Sequence, residues 1–205
     1  MTVGLTSESL SHGLARICTR LEACADELNT ADGKLGDGDL GVTMQRGARG
    51  VQAALDTLPA DVGQALMVCA QAFVKISGST YGTLLATGLM SAAKACKGRE
   101  AVPWAEMSSL VAGALTAMQM RGKGALGDKT VLDALDAVRD ATAGLDTPAQ
   151  ILAAATAAID QVMNVFRDKP SRQGRARMFG DKSLGLDDPG MLALRRMLES
   201  LEGAL

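Results

Sequence analysis

The sequence has very few aromatic residues: one Trp, one Tyr and three Phe among 205 residues. Strands favour aromatic and β-branched side chains, whereas helices favour alanine, leucine and methionine, which are common here. Apolar residues nevertheless make up 47% of the chain, which is enough for a sizeable core. The shortage of aromatics therefore favours a helical protein, and the length suits a single domain over residues 1–205.

Other shortages argue against several classes of protein. His12 is the only histidine and the four cysteines show no CxxC spacing, so we expect no zinc site. A net charge of −2 gives no basic footprint for nucleic acid or a membrane surface. We find neither the features of a signal peptide nor an apolar run that approaches bilayer-spanning length. We expect a cytoplasmic protein with reduced thiols, without nucleic acid or a membrane as partner.

Apolar residues recur at helical spacing through most of the chain. The first stripe runs from Leu10 to Leu28 in steps of three and four, and Thr147-Pro148 is a strong helix start. The pattern predicts eight helices and no strand, with apolar stripes at about 10–28, 44–55, 62–73, 85–92, 104–118, 132–138, 151–166 and 188–201. Short connections predict antiparallel neighbours in an all-α fold.

The connection 31–43, called the aspartate loop below, carries Asp32, Asp37 and Asp39 among several glycines. Glycine adopts backbone angles that other residues avoid, so the loop can curl and bring the carboxylates to one point. A hard divalent cation relieves their repulsion, and Mg²⁺ prefers such oxygen ligands together with phosphate oxygens. Asp-Gly sequences are also common in solvated turns, so the loop alone leaves both interpretations open.

Three further connections are rich in glycine and polar residues. Residues 76–83 lead into a helix whose free N–H groups suit a phosphate, although Ser and Gly also simply cap helices. Residues 121–130 open another helix. Residues 170–190 include Arg175 between two other arginines, and the guanidinium group matches phosphate oxygens. Each segment on its own is also typical of a surface loop.

Together, the four segments resemble the L subunit of dihydroxyacetone kinase, from about Leu14 to the C-terminus. That family has a D-x-x-x-G-D-G-D-H-G loop, followed by G-G-x-S-G-P-L, G-D-K-T, G-R-A-x-Y-L-G-E-R-S-x-G and D-P-G segments. The matching residues here are Asp32 with Gly36–Asp39, Gly78–Leu84, Gly127–Thr130, Gly174–Ala176 with Gly180–Ser183, and Asp188–Gly190.

The resemblance implies a barrel of eight antiparallel amphipathic helices with nucleotide-binding loops at one end, where ATP or ADP binds with two Mg²⁺ ions. It also implies that Asp32, Asp37 and Asp39 are the metal ligands and, with Arg175, the catalytic residues. The residues that it places around the nucleotide are Leu40, Gly41, Val42, Thr43, Gly78, Ser79, Thr80, Tyr81, Gly122, Thr130, Val131, Arg175, Asp188, Pro189 and Gly190.

The sequence departs from the family pattern close to the expected phosphates. Leu40 replaces the usual histidine after the third aspartate, which removes a polar contact to a phosphate. Ser79 replaces the second glycine of the G-G-x-S-G segment, and Tyr81 stands where serine is common. None of these changes touches the aspartates, so we expect metal and nucleotide binding to be retained. The departures leave open whether dihydroxyacetone itself is the acceptor.

The resemblance implies the nucleotide-binding, phosphoryl-donating subunit of a kinase. In phosphoryl transfer the protein mainly positions the reactants and neutralises charge, here through magnesium and Arg175. The acceptor, a small ketose or related sugar, is expected on a separate K-like subunit that holds it covalently through a histidine. His12 lies in a Ser-His-Gly context far from the loops in sequence, and we expect it at the surface or at a helix start.

Several alternatives remain. Some members of the family keep ADP bound while a phosphotransfer-system protein rephosphorylates it, although Leu40 weakly favours exchangeable ATP. Proteins of this fold also act as regulators that bind a transcription factor in one nucleotide state. A scaffold with relict loops is disfavoured, because clustered carboxylates without a cation cost stability. The alanine-rich stretch 153–158 can leave space for a lipid, but close helix packing is the preferred explanation.

Overall fold

The computed structural model describes residues 4–76 and 79–203, and within them the chain is predominantly helical. The α-helices are α1 (Ser7–Ala23), α2 (Ala25–Asp32), α3 (Leu40–Gln52), α4 (Val62–Ile76), α5 (Thr80–Ala95), α6 (Met107–Gly122), α7 (Val131–Ala141), α8 (Pro148–Arg167) and α9 (Pro189–Glu199). The strands are β1 (Gly4–Thr6) and β2 (Ala101–Pro103), and short 3₁₀ segments cover Leu55–Thr57, Trp104–Glu106 and Ala176–Ser183. The prediction of an all-α fold is confirmed.

The first predicted helix is divided at Cys24, so the described residues contain nine α-helices where eight were predicted. Cys24 has φ −100° and ψ 9°, and its N–H bonds the Arg20 carbonyl oxygen, which ends α1. Leu21, Cys24 and Leu28 are all buried. Because the apolar stripe continues across the division, the sequence pattern did not reveal it.

The prediction of no strand was wrong for two three-residue segments. β1 pairs antiparallel with β2, with Leu5 opposite Val102. The strands approach so closely that a Cβ on Gly4 would lie 2.4 Å from the Val102 carbonyl oxygen. Three residues are too few to show the alternation of apolar and polar side chains that marks a strand in sequence.

The helices contact one another in a closed circuit. From α3 to α9 each helix packs against the next one along the chain, and α1 packs against both α3 and α9. The largest core cluster includes Leu28, Met44, Ile159 and Met191, which come from four different helices. This circuit is compatible with the expected barrel, and both the barrel and the antiparallel arrangement of its helices stay predictions.

Within the described residues, α8 is the one helix that is long and apolar enough to cross a membrane by length and composition. The expectation that no segment approaches that length was therefore wrong. One face of α8 packs into the core through Leu152, Ile159 and Phe166, and the core helix of a soluble protein passes the same test. Ala153 and Ala157 on this helix are exposed, so they do not line an internal space for a lipid.

Candidate nucleotide and metal site

Three carboxylates come together in the aspartate loop. Asp32 is the last residue of α2, Asp39 directly precedes α3, and Asp37 lies between them. One carboxylate oxygen from each residue lies within 4.8 Å of those from the other two. Asp32 is half-buried, whereas Asp37 and Asp39 are exposed. A set of oxygen ligands suits a hard divalent cation such as Mg²⁺ better than it suits a soft metal.

Two glycines and one buried leucine give the aspartate loop its shape. Gly38 has φ 74°, a backbone conformation that favours glycine. A Cβ on Gly36 would lie 2.6 Å from Asp32 Oδ1, so another residue there would displace the carboxylate. Leu35 is buried and anchors the loop in the interior. The glycines thus allow the carboxylates to approach one another, which agrees with the role inferred from the sequence.

The first turn of α3 holds Asp32 in place. Asp32 Oδ2 accepts hydrogen bonds from the Asp39 N–H at 3.0 Å and from the Leu40 N–H at 3.3 Å. Asn29 Oδ1 accepts a hydrogen bond from the Val42 N–H at 3.2 Å. These bonds use N–H groups that the start of a helix leaves without partners. Sequence reasoning missed Asn29, whose one signal is its position three residues before Asp32 on the same helix face.

The connection between α8 and α9 brings Arg175 to the aspartates. The Arg175 guanidinium forms an ion pair with the Asp37 carboxylate. The two side chains are 66% and 46% exposed, so solvent screens the pair and it adds little stability. The structure thus brings the predicted catalytic arginine and the predicted metal ligands to one place, although they are distant in sequence.

Two buried charged residues, Lys129 and Asp133, hold the loops near the site through hydrogen bonds. The sequence did not predict this role for either residue. Lys129 Nζ donates hydrogen bonds to the carbonyl oxygens of Lys169 at 2.9 Å and Ser183 at 2.8 Å. Asp133 accepts hydrogen bonds from the N–H groups of Gly127 and Thr130 at the start of α7. Burial lowers the pKa of Lys129, while Asp188 and other nearby carboxylates oppose that shift. The G-D-K-T segment drew attention to this loop. It did not predict that Lys129 is buried, because a lysine in a loop is ordinarily solvated.

Tyr81 joins the start of α5 to the start of α9. Its hydroxyl donates a hydrogen bond to the Gly190 carbonyl oxygen at 3.0 Å. A Cβ on Gly190 would lie 2.8 Å from the Tyr81 ring. Burial, with Asp188 nearby, raises the pKa of the phenol, so the hydroxyl keeps its proton. The Tyr81 hydroxyl therefore bonds the start of α5 to the start of α9, and it is not free to donate to a phosphate.

The remaining predicted residues lie around the same loops. Leu40 is 5% exposed and belongs to the main core, so its side chain faces away from solvent. Ser79 caps α5 by accepting a hydrogen bond from the Gly82 N–H at 3.1 Å. Val42 and Thr80 are exposed. Of the others, Gly41, Thr43, Val131, Pro189 and Gly190 are buried, Gly122 and Thr130 are half-buried, and Gly78 lies outside the described residues.

Hydrogen bonds and one ion pair link the four glycine-rich connections to one another. Besides the Arg175–Asp37 and Tyr81–Gly190 contacts, the Arg172 N–H donates to the Asp128 carbonyl oxygen at 3.0 Å. Gln173 Nε2 donates to the Gly122 carbonyl oxygen at 3.0 Å. The 170–190 connection thus contacts all three of the others. Its contact with residues 76–83 is made by Tyr81, which lies in the first turn of α5.

Asp188 caps the start of α9, and its side chain is half-buried. It accepts a hydrogen bond from the Met191 N–H at 2.8 Å, which caps the helix. Burial raises the pKa of Asp188 from 3.8 to about 7; the Met191 bond lowers it, and repulsion from Asp133 raises it. The carboxyl therefore holds its proton more tightly in the folded chain than in the unfolded chain.

The raised pKa of Asp188 predicts a pH-dependent change in stability. The stabilising contribution is fully present below pH 3.8 and is lost as the pH rises towards about 7. The Asp188→Asn variant keeps a capping acceptor. As the pH rises through this range, the free energy of unfolding should fall in the wild type and fall less in the variant. The difference between the two decreases should be on the order of 1 kcal/mol. Urea unfolding of both chains at about pH 4.5 and about pH 7.5 measures the difference. An identical pH dependence would contradict the prediction.

Comparison with known proteins gives a family for the chain. Residues 34–203 match the family model of the DAK2 domain. Over 210 residues the chain is 31% identical to the triokinase/FMN cyclase of Homo sapiens, covering 97% of this chain and 36% of that protein. It is 26% identical over 211 residues to the ADP-binding subunit DhaL of PEP-dependent dihydroxyacetone kinase 2 of Listeria innocua, covering 98% of both chains.

Solved structures share the fold. The dihydroxyacetone kinase of C. freundii matches with a TM-score of 0.76 in its native form, at 21% identity, over all of this chain and 36% of that one. The same enzyme in complex with AMP-PNP and Mg²⁺ gives a TM-score of 0.74 and covers 35% of that chain. The chain therefore spans about a third of the length of the human and C. freundii proteins and nearly the whole length of the Listeria innocua subunit. It belongs to the DAK2-domain family, as a DhaL-type domain.

Proposed function

We propose that this chain is the nucleotide-binding, phosphoryl-donating subunit of a kinase for a small ketose or a related sugar. The observation that carries the proposal is the convergence of Asp32, Asp37 and Asp39 with Arg175, which comes from a distant part of the chain. The names of the relatives support it, since they include a triokinase and an ADP-binding kinase subunit. The C. freundii kinase has also been solved with AMP-PNP and Mg²⁺.

The aspartates fit Mg²⁺, of which we expect two ions as in the family. When bound, Mg²⁺ neutralises and orients phosphate oxygens during phosphoryl transfer. The two N–H groups that bond Asp32 Oδ2 keep this carboxylate fixed on the loop. Arg175 is exposed beside Asp37, where its guanidinium can bind a phosphate oxygen of ATP or ADP.

The acceptor sugar is expected on a second protein. His12, the only histidine, is exposed in the first half of α1, whereas the aspartates lie at the end of α2 and in the loop that follows it. It is therefore badly placed to hold a ketose beside the nucleotide. We propose that a K-like subunit binds the ketose and presents its hydroxyl to the phosphate.

An exposed apolar rim supports such a partner. Among the described residues, the large apolar side chains that are exposed all lie within the four connections or close to them in sequence. We call this set the apolar rim: Val42, Val74, Met120, Leu126, Val165, Met178 and Leu184. Exposed apolar residues that cluster around a polar site are typical of a surface that binds another protein. Methionine in particular is common at such interfaces. We propose that the K-like subunit docks on the apolar rim.

The docking proposal predicts a selective defect. Met178 is 82% exposed on the α8–α9 connection. We expect Met178→Asp to weaken binding of a dihydroxyacetone-binding K subunit by about tenfold or more, because it places a charge against an apolar partner surface. Binding of magnesium nucleotide to the variant alone should not change. Ala143→Asp, an exposed position just beyond the far end of α7, is the matched control and should leave both properties intact.

The kinase proposal itself is tested by phosphate transfer. The chain, Mg²⁺ and ATP should phosphorylate dihydroxyacetone only when a K subunit is added. Rapid transfer by the isolated chain would contradict the division of labour between two subunits. Failure with every K subunit tried, in a chain that binds nucleotide, would favour a regulatory role.

A second form of the function, in which ADP stays bound to the chain, is supported by the name of a relative that is a separate kinase subunit. The Listeria innocua relative that matches over 98% of both chains is named as the ADP-binding subunit of a PEP-dependent kinase. In that form ADP stays bound here and a phosphotransfer-system protein rephosphorylates it. Retention of ADP through gel filtration would favour this form, whereas exchange within seconds would favour ATP as the substrate.

A further inference from the structure

Lys129 is a buried lysine that the proposed chemistry does not use. It is 1% exposed and heads the fully buried side chains of the described residues by volume. Its ammonium donates hydrogen bonds to the carbonyl oxygens of Lys169 and Ser183. These two residues lie on opposite arms of the α8–α9 connection. One ammonium thus binds both arms of the connection that carries Arg175.

The two arms meet at a buried joint. Ser183 Oγ accepts a hydrogen bond from the Ser171 N–H at 2.8 Å and donates one to the Gly180 carbonyl oxygen at 2.6 Å. The Gly185 N–H donates to the Arg167 carbonyl oxygen at 2.7 Å. Arg175 lies between the arms, outside the joint, and is largely exposed. The joint is therefore the fixed part of the connection and Arg175 belongs to its exposed part.

The joint needs a donor group of the kind that lysine supplies. An ammonium has three N–H donors, and here two of them bond carbonyl oxygens. An apolar side chain of the same length would leave the Lys169 carbonyl and the buried Ser183 carbonyl without this donor, which is costly at the buried position. The backbone of Lys129 has φ 62°, an uncommon conformation for a residue other than glycine. Lys129 thus combines an unfavourable backbone conformation with a buried charge, and the contacts of that charge hold the α8–α9 connection.

We propose that Lys129 is a positioning residue that holds the α8–α9 connection closed, so that Arg175 reaches Asp37 and the nucleotide. The expected effect of Lys129 on nucleotide affinity rests on the function proposed above. Its expected effect on the opening of the α8–α9 connection does not, because that effect concerns the chain without ligand. The two effects are therefore measured separately.

The first test uses hydrogen–deuterium exchange on the chain without nucleotide. In Lys129→Met, the amides of Ser171, Arg172 and Gly185 should exchange at least about tenfold faster than in the wild type, because the joint opens more often. Lys123→Met is the matched control, since Lys123 lies in the same loop with φ 54° but has an exposed side chain. It should leave these amides unchanged. Equal exchange in Lys129→Met and the wild type would overturn the proposal.

The second test asks whether Lys129 acts through Arg175. Lys129→Met should weaken binding of magnesium ADP by about tenfold in the wild-type background and by less than about twofold in an Arg175→Ala background. The same loss in both backgrounds would mean that Lys129 supports the site in another way, and would overturn the proposal. If the wild-type chain binds no nucleotide, the proposed function fails and the exchange test decides the role of Lys129 alone.

A third variant covers the case in which Lys129→Met does not fold. Ser183→Ala removes the acceptor for the Ser171 N–H at the same joint while leaving Lys129 in place. It should change exchange and nucleotide affinity in the same direction, by a smaller factor. Thermal unfolding of each variant confirms that the comparison is made between folded chains.

Discussion

Replacing Asp37 with alanine is expected to weaken binding of magnesium nucleotide by about 100-fold or more, because a charged oxygen ligand of the metal is lost. The fold should survive this change. Asp37 is exposed, and its ion pair with Arg175 is screened by solvent, so the free energy of unfolding should change by less than about 0.5 kcal/mol. Asp37→Ala therefore separates binding from stability.

Titration calorimetry with ADP and Mg²⁺, together with thermal unfolding, measures both properties of the Asp37→Ala chain. Asp56→Ala is the matched control, because Asp56 is an exposed aspartate in a short helical segment outside the aspartate loop. It should bind nucleotide as the wild type does. An Asp37→Ala chain that binds magnesium ADP with wild-type affinity would remove Asp37 from the metal site.

Gly41→Ala is expected to cause a large loss of stability. A Cβ on Gly41 would lie 1.8 Å from the Ala25 carbonyl oxygen and 2.7 Å from Asn29 Oδ1. The first contact is with backbone, so α2 and α3 must separate to relieve it. We expect the free energy of unfolding to fall by about 3 kcal/mol. The separation should also break the bond from the Val42 N–H to Asn29 and loosen the aspartate loop.

Chemical unfolding measures this effect against a matched glycine. Gly113 lies inside α6, and a Cβ there would meet only Ser91 Oγ, at 3.5 Å. Gly113→Ala should leave stability unchanged or raise it by up to about 1 kcal/mol, since alanine is the better helix former. Equal stabilities for the Gly41 and Gly113 variants would show that α2 and α3 do not pack as closely as described.

Much of the helical fold is readable from the sequence because apolar spacing reports directly which face of a helix is buried. The stripe that contains Leu28 and the stripe that contains Ile159 both point to core positions that the structure confirms. The division at Cys24 was not readable, since the stripe passes through it without interruption. The β1–β2 pair was missed because strands of three residues carry no periodic signal.

The candidate site was only partly predictable for a related reason. Clustered aspartates and glycines are a local signal, and the structure does place these carboxylates together. Asn29 and Lys129 act on segments that lie near them only after folding, and neither residue belongs to a local pattern that reveals its partner. The family motifs placed Tyr81 beside the phosphates, but they cannot show that its hydroxyl is already bonded to Gly190.

The central claim is that the aspartate loop binds nucleotide through Mg²⁺. Its most direct test is calorimetric titration of ADP into the nucleotide-free wild-type chain, once with Mg²⁺ and once with a chelator. The account predicts binding with Mg²⁺ and a loss of affinity of about 100-fold or more without it. No binding in the presence of Mg²⁺, or the same affinity under both conditions, would contradict it.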